Sequence, residues 1–150
     1  MDNDTLKAVQ HCMDGDPFAR RLGTQVEEIR PGFARARLKL SPELMNFVGV
    51  PHGAVVFAVA DQAFAAACNS RGTVAVALNV SISFLAAAAP DATLVAEAEE
   101  IHCGSRTSTY HILVKDDQGR LIANFQGLAY RKKTPIAEIV APEDSPGAAG

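Results

Sequence analysis

Along residues 33–40 apolar and charged side chains alternate without a break. Ala34, Ala36, Leu38 and Leu40 fall on one side, and Arg35, Arg37 and Lys39 on the other. A period of two puts these sets on opposite faces of a half-buried strand. Residues 23–30 precede it across the turn pair Pro31-Gly32, so the two segments predict a hairpin. Residues 74–84 alternate as cleanly, with Val74, Val76, Leu78, Val80, Ile82 and Phe84 against Ala75, Ala77, Asn79, Ser81 and Ser83. The second set is small and polar, which suits solvent, a ligand or a second subunit better than a core. A strand over 92–102 follows the turn at Pro90-Asp91, and its pattern slips at Glu99-Glu100 as a bulge would make it. Residues 106–115 and 121–131 predict a second hairpin across Asp116-Asp117-Gln118-Gly119.

Between the first hairpin and the long strand the pattern changes. Ala54 to Cys68 holds only two strongly polar residues, Asp61 and Gln62, and seven alanines, with no Gly or Pro. Such a run predicts a helix. Arg71-Gly72 supplies a cation for its last turn and a residue free to take the left-handed stop. Being apolar nearly all round, the helix should be buried on most sides. It is too short for a membrane span and carries an acid at its centre. Residues 4–13 predict a short amphipathic helix, and 17–22 a further turn opened by Asp16-Pro17. The segment 134–150, rich in Pro, Ala, Gly and acid, reads as a flexible tail to a domain spanning 1–133. The order of helix, two strands, buried helix and four strands predicts an α+β fold. In it a six-stranded antiparallel sheet wraps around one long central helix.

Composition narrows the function classes. A chain of 150 residues predicts one domain, and a net charge of −3 without long runs suggests neither a nucleic-acid nor a membrane partner. Cys12, Cys68 and Cys103 are odd in number and far apart, which leaves a disulfide framework or zinc site unsupported and fits free thiols in the cytoplasm. The acidic N-terminus lacks the apolar stretch of a signal peptide.

One feature resists a purely structural reading. Asp61 lies in the middle of the most apolar segment of the chain. Either it occupies a narrow solvated stripe, or it reaches a cleft, where ionisation is costly unless something uses it. With Asn46, His52-Gly53, Ala60-Asp61 and Ala67-Cys68-Asn69-Ser70-Arg71-Gly72, the chain resembles the hotdog-fold acyl-CoA thioesterases. Within them it is most similar to the phenylacetic-acid-degradation subgroup. The subgroup motif runs Asn, His-Gly-Gly, Leu-Ala-Asp-x-Ala-Phe, Ala-Cys-Asn-Ser-x-Gly. The resemblance extends from about residue 10 to about residue 132.

The resemblance implies a homodimer of hotdogs paired into a homotetramer. It also implies hydrolysis of a short or aromatic acyl-CoA to free acid and CoA, without metal or redox cofactor. It casts Asp61 as general base or nucleophile and the Gly53 backbone N–H as the group that polarises the thioester carbonyl. Asn46 and His52 would position substrate or water. Gly104-Ser105-Arg106-Thr107 resembles the family's Gly-Lys/Arg-Thr turn, so Ser105, Arg106 and Thr107 are expected at the nucleotide, with Arg131, Lys132 and Lys133 as further candidates. Asn69 is either a cap and packing residue or part of the substrate pocket. Two departures stand out. Ala54 replaces the second Gly of the motif, and its methyl group would either narrow the approach of the acyl group or alter the helix start. Phe84-Leu85-Ala86-Ala87, followed by Pro90-Asp91, replaces Phe-Leu-Arg-Pro and Gly-Asp, removing an Arg expected at CoA.

Elementary geometry bears on these roles. Unpaired N–H groups and the helix dipole make the start of the central helix a site for developing negative charge. A thioester carbonyl acquires such charge when attacked. Asp61 lies eight residues beyond Gly53, or about 12 Å along a helix axis. One chain would hardly bring both to one carbon, whereas two antiparallel helices across a two-fold axis would. The expectation is a composite site, with Gly53 from one subunit and Asp61 from the next. A hotdog dehydratase would carry a His five residues after the helix Asp, and position 66 is Ala. The other rival is a non-catalytic acyl-CoA-binding or regulatory hotdog protein, which would have no need of Asp61. His11, His102 and His111 lack partner spacing, and Phe47, Val48, Phe57 and Phe64 read as core or pocket wall.

Overall fold

A computed structural model describes residues 3–139. The chain runs through α1 (Asn3–Asp14), α2 (Pro17–Leu22), β1 (Gln25–Arg30), β2 (Phe33–Lys39), α3 (Gly53–Asn69), β3 (Thr73–Phe84), β4 (Thr93–Cys103), β5 (Thr107–Lys115) and β6 (Leu121–Pro135). Short 3₁₀ turns occupy Pro42–Leu44 and Ile136–Glu138. The six strands form one sheet in the order β1-β2-β4-β5-β6-β3, every neighbouring pair antiparallel. α3 lies across one face of it, packed chiefly on β2, β4, β3 and β5. This is the expected sheet around one central helix.

Each element forms for local reasons. α2 starts at Asp16, whose Oδ1 accepts the Ala19 N–H at 3.0 Å, and Pro17 fills its first position. It stops at Gly23, whose φ of +84° closes the turn and sends its N–H back to the Ala19 carbonyl. In β2 the even-numbered set is buried as the alternation requires. The slip in β4 is real: its register on β5 breaks between Glu100 and His102. On the outer face of the sheet Arg35 and Arg37 pair with Glu27 and Glu28, a solvated ion cluster that adds little stability.

Two expectations are corrected. The clean alternation of 74–84 does not put one residue set on one face. Ala77 pairs with Ala129 and Asn79 with Leu128, so Leu78 is an extra residue in β3. Ala75 faces the core before this bulge, and Val80 and Ile82 pack against the core after it. The expected domain end at residue 133 falls inside β6, which continues to Pro135, and Ile136 is only 5 % exposed. Ile136 N–H bonds to Gly72 O at 2.9 Å, tying this segment to the end of the helix. Residues 140–150 lie outside the described residues.

The far end of α3 is locked by polar contacts. Ser70 Oγ accepts the Gly32 N–H at 2.8 Å and donates to Ala67 O at 2.6 Å. Arg71 donates from Nε and Nη2 to both oxygens of Glu100, at 3.1 and 2.7 Å. Tyr110 donates its hydroxyl to the same carboxylate at 2.8 Å. The Arg71 hydrogen bonds hold the Glu100 carboxyl below the usual range. The rings of Phe64, Phe125 and Tyr110 pack below α3 in tilted contacts, fixing its depth. The two ends of the sheet differ. α1 packs against β1, while β3 at the other edge pairs with β6 alone and leaves Val76, Leu78 and Phe84 exposed. Among the described residues no helix is long and apolar enough to cross a membrane.

Candidate active site

The start of α3 is built by the loop before it. Asn46 Oδ1 accepts the N–H groups of Val48 and Val50 at 3.0 and 3.2 Å, folding 46–50 into a tight excursion with Gly49 at φ +83°. His52 N–H then bonds to Leu44 O at 2.9 Å and fixes the entry to the helix. His52 is the N-cap: its Nδ1 accepts the Ala54 N–H at 3.0 Å, and its carbonyl accepts from Val55 and Val56. An accepting Nδ1 places the ring proton on Nε2. The Gly53 N–H, by contrast, has no acceptor among the described residues. One backbone donor at the positive end of the helix dipole is therefore left free.

Most of α3 is buried, but Ala54, Phe57, Ala58 and Asp61 are less so, at spacings that put them on one stripe. This stripe forms the floor of an open cavity of about 480 Å³, flanked by Phe18 of α2 and Phe84 of β3, with Gly53 also in its lining. Its wall is apolar except for Asp61. That carboxylate is half-buried and has no hydrogen-bond or ion-pair partner among the described residues. Loss of hydration raises its pKa above the ordinary carboxylate value, and the negative charge of Asp16 adds to the effect. An unpartnered acid in an apolar wall is costly unless a reaction uses it. A group of this kind can take a proton from water or attack an acyl carbon itself.

The expected site residues separate into groups. Gly53, Ala54 and Asp61 line this one cavity. Asn46 lines a neighbouring cavity of about 370 Å³ on the other side of the helix start, with its side-chain oxygen committed to its own loop. Asn69 lines neither. It is 6 % exposed, donates to Ala65 O and Ala75 O at 2.9 and 3.1 Å, and accepts the Ala75 N–H at 2.9 Å. Its amide clamps the end of α3 to β3, the contacts of a cap and packing residue, the first of its two expected roles. Ser105, Arg106 and Thr107 form the turn between β4 and β5, closed by Gly104 N–H to Thr107 O at 2.8 Å. Arg131 braces that turn, its N–H on Arg106 O at 2.7 Å and its Nη1 on Gly104 O at 2.6 Å. The turn flanks the start of β3, where Ala75 pairs with Arg131, whereas Gly53 meets Phe84 at the end of β3. Within one chain the two groups stand at opposite ends of a twelve-residue strand.

Sequence reasoning missed Phe18, Asp16 and the part played by Phe84. Phe18 had a signal: an aromatic residue directly after a capped helix start, outside any core periodicity. Phe84 had none, since it reads as the last apolar position of its strand. Among the described residues no group of three His, Cys, Asp or Glu side chains is placed to hold a metal ion.

A sheet curled around one helix, with a lone acid on the helix stripe, is the architecture of the hotdog thioesterases. The family model of the thioesterase superfamily matches residues 48–123, and the chain belongs to that family. Among individual proteins, it is similar to the acyl-coenzyme A thioesterase PaaI of Escherichia coli, 35 % identical over 122 residues that cover 81 % of this chain and 87 % of PaaI. The solved structure of that PaaI, from the phenylacetic acid degradation operon, superposes with a TM-score of 0.82 at 33 % identity, covering 87 % of this chain and 97 % of the other. A solved protein of Thermus thermophilus superposes with a TM-score of 0.75 at 36 % identity, covering 78 % and 98 %.

Proposed function

We propose that this chain is an acyl-CoA thioesterase in which Asp61 and the Gly53 N–H act on one thioester carbonyl. A single observation carries the reading. In a member of the thioesterase superfamily, one apolar cavity has an unpartnered carboxylate in its wall and, elsewhere in its lining, Gly53 with its unpaired helix-start N–H, so that an antiparallel two-fold partner would bring each beside the other's counterpart. As base, Asp61 takes a proton from water and the resulting hydroxide adds to the carbonyl carbon. The oxygen becomes an oxyanion, which the Gly53 N–H stabilises; losing such a donor costs about 3 kcal/mol. Collapse breaks the C–S bond, and the CoA thiolate recovers the proton from Asp61. If Asp61 attacks directly, a mixed anhydride forms and water cleaves it, giving the same acid and CoA.

The two groups come from different copies of the chain. Along one helix they are about 12 Å apart, too far for one carbon. The unpaired edge of β3 and the apolar stripe on α3 both support a two-fold partner. Antiparallel pairing of two β3 edges sets the start of one strand beside the end of the other. The 104–107 turn of one copy then stands near Gly53 of its neighbour, and Ser105, Arg106 and Thr107 meet the nucleotide of CoA while the acyl group enters the Asp61 cavity. Such dimers pair further into a tetramer. Phe18, Phe57 and Phe84 around the cavity suit a short or aromatic acyl group. PaaI, from the phenylacetic acid degradation operon, supports the same choice. Free thiols and a CoA substrate fit the cytoplasm.

The test is thiol release from a panel of acyl-CoAs, with Asp61→Ala as control. Saturable binding without Asp61-dependent release would establish a non-catalytic binder instead. The shared site is tested by mixing Asp61→Ala with Gly53→Pro. Proline removes the free N–H, suits the first helical position, and follows His52 at φ −63°, ψ 135°, which a residue before proline can adopt. Subunit exchange should restore activity; verified exchange without recovery would rule the composite arrangement out.

A further inference from the structure

The cavity of Asp61 and the cavity of Asn46 share two residues, Gly53 and Phe84. Phe84 stands between them. A Cβ added at Gly53 would lie 3.3 Å from Phe84 Cζ and 3.4 Å from Cε1, with no atom of another residue among its three nearest neighbours. The rim of the ring thus rests on the bare Cα of Gly53. Within one chain Phe84 is 56 % exposed, so it does not fill that chain's core. Its backbone is held, since Phe84 pairs with Ala123 and the next two N–H groups, of Leu85 and Ala86, bond to Ile122 O at 2.8 and 3.2 Å. Only the side-chain torsions are left to move. Beyond the ring, the second cavity is largely apolar, lined by Val56, Leu85, Ala86, Ala87 and Ile122, with Asn46 also at its wall.

We infer that Phe84 is the residue that sets acyl length: its ring divides one apolar channel into two and confines the acyl group to the Asp61 side. This rests on the thioesterase reading and goes beyond it. The Gly53 N–H is where the carbonyl oxygen is held, so Phe84 of the same copy stands beside the reacting carbon, where an acyl chain turns to one side or the other. With the ring in place a compact acyl group fits and a long chain meets the partition. Without it, the methylenes of a long chain continue into the cavity of Leu85 and Ile122 and bury there. Burying a few methylenes gives more than tenfold discrimination.

The experiment compares wild type with Phe84→Ala and Phe84→Leu in two series. The first is kcat/KM on acyl-CoAs from acetyl to dodecanoyl and on phenylacetyl-CoA. The second is calorimetric affinity for the matching S-alkyl-CoA thioethers, which cannot be hydrolysed. Phe84→Ala should raise the dodecanoyl-to-butanoyl ratio at least tenfold, in kcat/KM and in affinity alike, with Phe84→Leu in between. A ratio within twofold of wild type, in variants whose thermal melts show them folded, overturns the inference. So does an equal loss at every chain length. If the thioether profile shifts but no variant or wild type releases thiol, the partition stands and the thioesterase reading fails. No affinity for any alkyl-CoA overturns both.

Discussion

The ring of Phe64 occupies the space that a side chain at position 127 would need. A Cβ on Gly127 would lie 2.6 Å from Phe64 Cζ and within 2.8 Å of two further ring atoms. Phe64 sits on α3 one turn beyond Asp61, and Gly127 lies in β6 opposite Val80, so this contact sets how deep the helix lies on the sheet. Gly127→Ala should cost about 1–3 kcal/mol by overpacking. The check is urea unfolding, where the midpoint falls and the slope does not change. A Phe64→Leu background should absorb much of that loss, which a double-mutant cycle measures.

Asp61→Asn should trade activity for stability. Thiol release falls by about 10²–10⁴ as the proton acceptor is lost. The sign of the stability effect follows from the raised pKa. Folded Asp61 holds its proton more firmly than the unfolded chain does, so its contribution is complete below the ordinary value of 3.8 and is lost as pH rises through the raised value. The amide variant should therefore melt higher than wild type at pH 7, and the gap should close in acid. Melts at several pH values check this. A pH–rate profile of wild type should show its acid limb inflecting above 3.8.

The ion pair at the other end of α3 carries the opposite sign. Arg71→Met leaves Glu100 with Tyr110 as its hydrogen-bond donor and should cost about 1–2 kcal/mol at pH 7, allowing for partial exposure of the guanidinium. Glu100 has a lowered pKa, so its contribution is present above the unfolded carboxylate value and is lost as pH falls through the folded one. The wild-type advantage over Arg71→Met should shrink across that acid window in equilibrium unfolding.

His52 tests what a motif histidine does. Its Nδ1 caps the helix, so His52→Ala should cost about 1 kcal/mol, and His52→Asn, another good cap, should retain stability. Thiol release by His52→Asn should stay close to wild type if the cap is its whole contribution. Thermal melts and kcat on the same preparations read both.

The sequence displayed the parts of this molecule where one environment covers a whole face. Strand β2 was legible because its inward residues all meet the core and its outward ones are all charged. α3 was legible from its alanines, and Asp61 because nothing else in that helix is acidic. Strand order was not, since β2 reaches β4, and β6 reaches β3, across long stretches of chain. The end of β6 was hidden by a tail composition that says flexible, while a single side chain, Ile136, decides that it docks. Asn69 shows the limit at the site: the motif leaves packing and ligand contact as alternatives until its three hydrogen bonds to backbone are seen. Phe84 shows another, because its role comes from an encounter with Gly53 that no spacing announces.

Leu78 makes length itself informative in β3. Every side chain around it reads as a perfect alternation, yet one surplus residue lets Ala75 and Val80 both turn inward. Removing Leu78 would leave Ala77 and Asn79 as consecutive residues opposite Ala129 and Leu128, so Val80, Ile82 and Phe84 would keep their faces, whereas inserting one residue beyond it would turn them over. A one-residue insertion after the bulge would therefore be more damaging than any conservative replacement in the strand, and the fault would surface at Phe84, where the strand meets the helix start.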